Sequence, residues 1–149
     1  MDIRWAPPFG PADVGSRRGR GPLETTTRLE AGPDAAATAH RTVEQALRDA
    51  VPARVITDLE AMIAELVAGS VGRAGLSAQD EVVLHLQTSG STIYVEVSEH
   101  GPGFERSAPT EGPDDARWGL YLVEKLSDQW GVIREAPFEV WFQVNVERH

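Results

Sequence analysis

The chain has 149 residues, 41% of them apolar and 25% charged, with a formal net charge of −9 and no cysteine. That length is one ordinary domain with enough surface to bury a core, and the missing cysteine excludes disulfides, thiolate metal sites and a cysteine nucleophile. The acid excess argues against nucleic acid or anionic lipid as a direct partner. No stretch of about 18 apolar residues is present, so no membrane-spanning helix is expected.

The start, Met1-Asp2-Ile3-Arg4-Trp5-Ala6-Pro7-Pro8, lacks the basic-then-apolar order of a secretory signal, which predicts a cytoplasmic protein. Residues 1–22 carry Pro7, Pro8, Pro11 and Pro22, four glycines and the cluster Arg17-Arg18-Gly19-Arg20. So little apolar surface predicts a flexible tail, and the domain is expected to span 23–149.

Thr25 to Glu30 is β-prone. Gly32-Pro33 breaks it, and Asp34 is placed to cap a helix over about 35–50 with Ala39, Val43, Ala46, Leu47 and Ala50 at helical spacing. After Pro52, a second helix is predicted from about Ala53 to Arg73, with Val55, Leu59, Met62, Ile63, Leu66 and Val67 on one apolar face. Two strands follow, Val82 to Thr88 and Thr92 to Ser98, joined at Ser89-Gly90-Ser91. Residues 105–117 are predicted as a long polar loop. Trp118 to Asp128 reads as a helix ended by Gly131. Val132 to Arg134 and Phe138 to Val146 read as strands. In the last, Phe138, Val140, Phe142, Val144 and Val146 alternate with Glu139, Trp141, Gln143 and Asn145, so one face is buried and the other is partly exposed or used in an interface. Strands joined by tight turns are antiparallel. The fold class is therefore α+β, a two-layer sandwich with helices on one face of a largely antiparallel sheet.

Three segments carry a resemblance. They are Ile63-Ala64-Glu65-Leu66-Val67-Ala68-Gly69-Ser70-Val71 on a helix, Glu99-His100-Gly101-Pro102-Gly103-Phe104 at a strand end, and Trp118-Gly119-Leu120-Tyr121-Leu122-Val123-Glu124 opening a helix, followed by Trp130-Gly131-Val132. In order and spacing they resemble the GHKL ATPase superfamily, with its histidine-kinase-like ATPase fold. Within it the chain is most similar to the bacterial anti-sigma-factor serine kinases, a likeness that Glu139-Val140-Trp141-Phe142 also fits. It runs over about residues 25–146.

The resemblance implies ATP and Mg²⁺ as cofactors and assigns roles to positions. Glu65 matches a helical Glu that activates or orients the nucleophile. Gly69 stands where the family has an Asn that binds Mg²⁺. Four residues apart, the two share a helix edge, but glycine offers no oxygen to a hard cation. Ser70 points about 100° further round the helix. Glu99 stands at the family's adenine-binding Asp and is one methylene longer. Gly101 and Gly103 match the glycines that let the backbone approach the nucleotide. Arg117-Trp118-Gly119-Leu120 matches the family's Gly-x-Gly-Leu at a helix N-terminus, where amides suit phosphate. Arg117 replaces the first glycine, while Gly119 and Leu120 are retained.

These departures gather on nucleotide contacts while the packing pattern stays intact. They predict a regulatory protein that binds a sigma factor or an anti-anti-sigma partner, with weak or lost ATP binding. The alternative is an active ATP-dependent serine protein kinase acting on an anti-anti-sigma factor. A third reading, a detached catalytic domain serving a histidine kinase, lacks a helical phosphoacceptor histidine. Family members are commonly homodimers, so the resemblance also implies a symmetric dimer. His40, His85, His100 and His149 show no metal-ligand spacing, and His100 reads as an exposed loop residue. No Ser/His/Asp arrangement stands out.

Overall fold

A computed structural model describes residues 23–72, 76–106, 120–135 and 137–148. In chain order the elements are strand β1 (Glu24–Glu30), helices α1 (Ala35–Leu47) and α2 (Ala53–Val71), strands β2 (Glu81–Ser89) and β3 (Thr92–His100), the single helical turn α3 (Pro102–Arg106), helix α4 (Leu120–Leu126), and strands β4 (Gln129–Ile133) and β5 (Phe138–Asn145). A final 3-10 turn covers Val146–Arg148.

The strands form one sheet in the order β1-β2-β3-β5-β4, and every neighbouring pair is antiparallel. The α+β two-layer reading holds. β-branched and aromatic residues at alternate positions make each strand half-buried, and the apolar halves meet one layer of helices. The inner face presents Leu29, Val82, Leu84, Leu86, Ile93, Val95, Val97, Val140, Phe142 and Val144. They join one core with Ala39, Val43 and Leu47 of α1, with Val55, Leu59, Met62, Ile63, Leu66 and Val67 of α2, and with Val123 of α4. Each such side chain taken from water contributes about 1.5–3 kcal/mol, more than any single polar contact here.

The β2–β3 hairpin turns at Gly90-Ser91, with Ser89 paired to Thr92 and Gly90 at φ 59°. A side chain would be strained there, and glycine is not. The start of β1 is tied to β2 by the Leu23 amide donating to Thr88 Oγ1 at 2.9 Å.

Several local expectations are corrected. Asp34 occupies the cap position of α1 but makes no side-chain capping bond, and its backbone is already helical (φ −93°, ψ −1°). α1 ends at Leu47, where the Arg48 amide still donates to Glu44 and a turn leads to Pro52. β3 runs two residues beyond the expected Ser98, so Glu99 and His100 are strand residues paired with Val82 and Glu81. Glu105 and Arg106 belong to α3 rather than to a loop.

Gly131 does not end a helix. α4 stops at Leu126, where the Ser127 amide and hydroxyl both donate to the Val123 carbonyl. Gly131 then lies inside β4, paired with Trp141. β4 accordingly covers 129–133 rather than 132–134.

The outer sheet face also differs from expectation, because Tyr94 (1% exposed) and Trp141 (3%) are buried there. Their rings stack with centroids 6.2 Å apart and planes at 27°. The Tyr94 hydroxyl donates to Glu96 Oε2 at 2.5 Å. Burial, that hydrogen bond and the charges of Glu96 and Glu139 all push the Tyr94 phenol above its usual range.

Candidate functional site

The sequence motifs fall on the C-terminal half of α2, the end of β3 with α3, and the start of α4; α2 contacts both β3 and α4. α2 turns one stripe inward (Ile63, Leu66, Val67, Ser70) and leaves Glu65 on its exposed flank, with Gly69 half-buried behind it. Glu65 and Gly69 therefore share an edge, as their spacing requires. The position that would supply a metal-binding amide oxygen carries no side chain. The adjacent hydroxyl, Ser70 Oγ, belongs to the inward stripe and is fully buried without a hydrogen-bond partner. It is thus turned into the core and away from the Glu65 edge.

Glu99 lies on the inner face of β3, between Val82 and Phe138 in the sheet register. It is 1% exposed. A carboxylate buried on the core side is costly unless its surroundings compensate, which marks this position as special. His100 is not the loop residue expected. It alternates to the outer face, and its Nε2 lies 3.0 Å from Ser98 Oγ. Two other histidines also have partners: His40 pairs with Glu60 at 3.0 Å, and His85 contacts Thr26 at 2.9 Å. Among the described residues no cluster of histidine and carboxylate side chains forms a metal site.

Beyond β3 the chain turns at Gly101, with φ at 127°, and enters α3, which buries Phe104 completely. The residue that shapes this arm, Asp80, was missed by sequence reasoning. It sits just before β2 and is fully buried. Asp80 Oδ1 accepts the Gly103 amide at 2.8 Å. Oδ2 accepts the Ser77 amide at 2.6 Å and the Ser77 hydroxyl at 3.2 Å. The Phe104 amide is a further donor. Burial pushes the Asp80 carboxyl up, but the amides of Ser77, Gly103 and Phe104 and the Ser77 hydroxyl outweigh it and hold the group below the usual carboxylate range. The local signal was the spacing Ser77-x-x-Asp80, a hydroxyl and a carboxylate able to bond each other. The link from Asp80 to Gly103, 23 residues on, has no local signal.

The glycines are explained by the same residue. A Cβ on Gly101 would stand 2.4 Å from Asp80 Oδ1 and 2.7 Å from Asp80 Cα, and one on Gly103 would stand 2.5 Å from Asp80 Oδ2. Both positions are small because Asp80 fills the space beside them. Leu120 opens α4 half-buried against the core. Arg117 and Gly119 lie outside the described residues.

The described residues thus bring to the candidate site a helix edge with Glu65, a buried carboxylate at a strand end and a glycine arm leading into α3. The family model for the histidine kinase-like ATPase domain matches residues 29–142, and the chain belongs to that family. Among curated proteins, none matches the sequence significantly.

Two solved structures share the fold. The RsbU and RsbW domains of Rv1364c from Mycobacterium tuberculosis match at TM-score 0.64 and 19% identity, over 87% of this chain and 34% of that one. The histidine kinase domain from the Erythrobacter litoralis EL346 blue-light activated histidine kinase matches at TM-score 0.50 and 18% identity, over 80% of this chain and 62% of that one. The chain thus spans about a third of the first and less than two thirds of the second.

The family implies a nucleotide and Mg²⁺, and the described residues do not fit the metal. Gly69 offers no side-chain oxygen, and Ser70 Oγ is sealed in the core.

Proposed function

We propose that this chain is a regulatory binding module that captures a sigma factor or an anti-anti-sigma protein, with weak or lost ATP binding. The observation that carries the reading is Gly69 on the Glu65 edge of α2, with the neighbouring Ser70 hydroxyl buried in the core. A family member that has lost its metal-binding oxygen keeps the fold and its surfaces, and function resides in surfaces grafted on folds. The likeness to the RsbU and RsbW domains of Rv1364c supports a partner of the sigma-regulatory class. A cytoplasmic location and a symmetric homodimer complete the reading.

Glu65 favours a second reading, the active serine kinase, because the acid sits exposed on α2 where it would orient a nucleophile. In that reading Glu99, Gly101, Gly103, Arg117, Gly119 and Leu120 contact the nucleotide.

Calorimetry and thermal shift with ATP and ADP, with and without Mg²⁺, separate the two. A ligand at about 100 times its Kd stabilises the fold by about 2.7 kcal/mol. No Mg²⁺-dependent shift at millimolar ATP is expected. A clear one, followed by phosphate transfer to a serine-bearing partner, replaces the first reading with the second.

A further inference from the structure

We propose that Asp80 is the positioning residue of the Glu99–Phe104 arm, fixing its shape from within the protein so that no nucleotide is needed to order it. The inference rests on the reading that this arm belongs to the functional site.

The sheet holds the arm at Glu99 and the core holds it at Phe104; the stretch between them is shaped by Asp80. Gly101 takes a backbone angle open to glycine alone, α3 is a single turn, and a five-residue helix does not hold itself together in water. Against that, one buried carboxylate gathers donors from both sides. On one side are the Ser77 amide and hydroxyl. On the other are the Gly103 and Phe104 amides. Charge-assisted bonds of this kind are about twice as strong as neutral ones. A second link ties Asp80 to the sheet edge, where the Ala31 amide donates to the Asp80 carbonyl at 3.1 Å. Asp80 therefore couples the entry to β2, the end of β1 and the arm, and it acts on the site through where it leaves Glu99 and Gly101.

The clash pattern makes this separable from simple packing. The three atoms nearest a Cβ on Gly103 all belong to the Asp80 carboxyl group, at 2.5, 3.0 and 3.1 Å. A Cβ on Gly101 also meets backbone, Asp80 Cα at 2.7 Å and the Gln79 carbonyl at 2.9 Å. Shortening Asp80 thus relieves the first clash and not the second.

The test is residue-resolved amide exchange on the full chain without nucleotide, comparing wild type with Asp80→Asn. Asparagine keeps the shape but loses the charge and one acceptor oxygen. The expected result is slow exchange at Gly103 and Phe104 in wild type, accelerated about tenfold or more in the variant, with the β2–β3 ladder changed less. Even acceleration across the sheet would make Asp80 a packing residue and overturn the proposal. So would fast exchange of the arm in wild type that slows only when MgATP is added.

If Asp80→Asn does not fold, Ser77→Ala takes its place on the same readout, since it removes the hydroxyl that donates to Asp80 Oδ2. Exchange at Gly103 and Phe104 should rise more than in the β2–β3 ladder, whereas an equal rise would sink the idea. No partner enters these measurements, so a failure here is distinct from a failure of the proposed function.

Discussion

The indole of Trp141 lies across Gly131 on the neighbouring strand, so close that a Cβ on that glycine would stand 2.7 Å from Nε1 and 2.8 Å from Cε2 and Cζ2. The ring cannot swing away, because its other side is stacked on Tyr94. Gly131→Ala should therefore strain the outer sheet face and destabilise the protein by about 1–3 kcal/mol, as overpacking does. Urea denaturation checks the size, and the tryptophan emission spectrum should shift with it.

The two glycines beside Asp80 should differ. Gly101→Ala combines a left-handed φ of 127° with a clash against backbone and is expected to cost about 3 kcal/mol or more. Gly103→Ala clashes most closely with the Asp80 side chain and should cost about 1–3 kcal/mol. Paired thermal melts give the order. An equal or reversed ranking would contradict the placement of Asp80.

Asp80 makes stability depend on acid. Its carboxyl titrates lower in the folded chain than its ordinary value of 3.8. The unfolded chain therefore takes up the proton first as pH falls. The contribution of Asp80 is fully present well above pH 3.8 and is lost as pH falls through the lower folded value. Wild type should exceed Asp80→Asn by about 2 kcal/mol at pH 7, hold that margin at pH 5, and lose it progressively below about pH 4. Denaturation midpoints across this range measure it.

Restoring the missing oxygen should restore the cation. Gly69→Asn with Glu99→Asp returns the two residues that the family uses, on a helix edge and strand end already in place. MgATP binding is expected to rise at least tenfold over wild type by calorimetry, and more with Mg²⁺ than without. Glu99→Asp alone should give less, because the base contact without the metal leaves the phosphates unneutralised.

The sequence by itself determined the element order, the antiparallel sheet and the inward stripe of α2, because 2.0- and 3.6-residue periods report burial directly. It also determined the family, and with it the positions of Glu65, Gly69 and Glu99. Tertiary structure alone decided what the glycines are for. Gly131 read as a helix stop is a seat for Trp141, a relation set by the register of β4 on β5. At Gly101 and Gly103 a side chain would run into Asp80. The extension of β3 that buries Glu99 and turns His100 outward follows from pairing with β2. In each case the deciding contact joins residues separated in the chain by ten positions or more, where local propensity and spacing carry no information and only the assembled sheet brings the groups together.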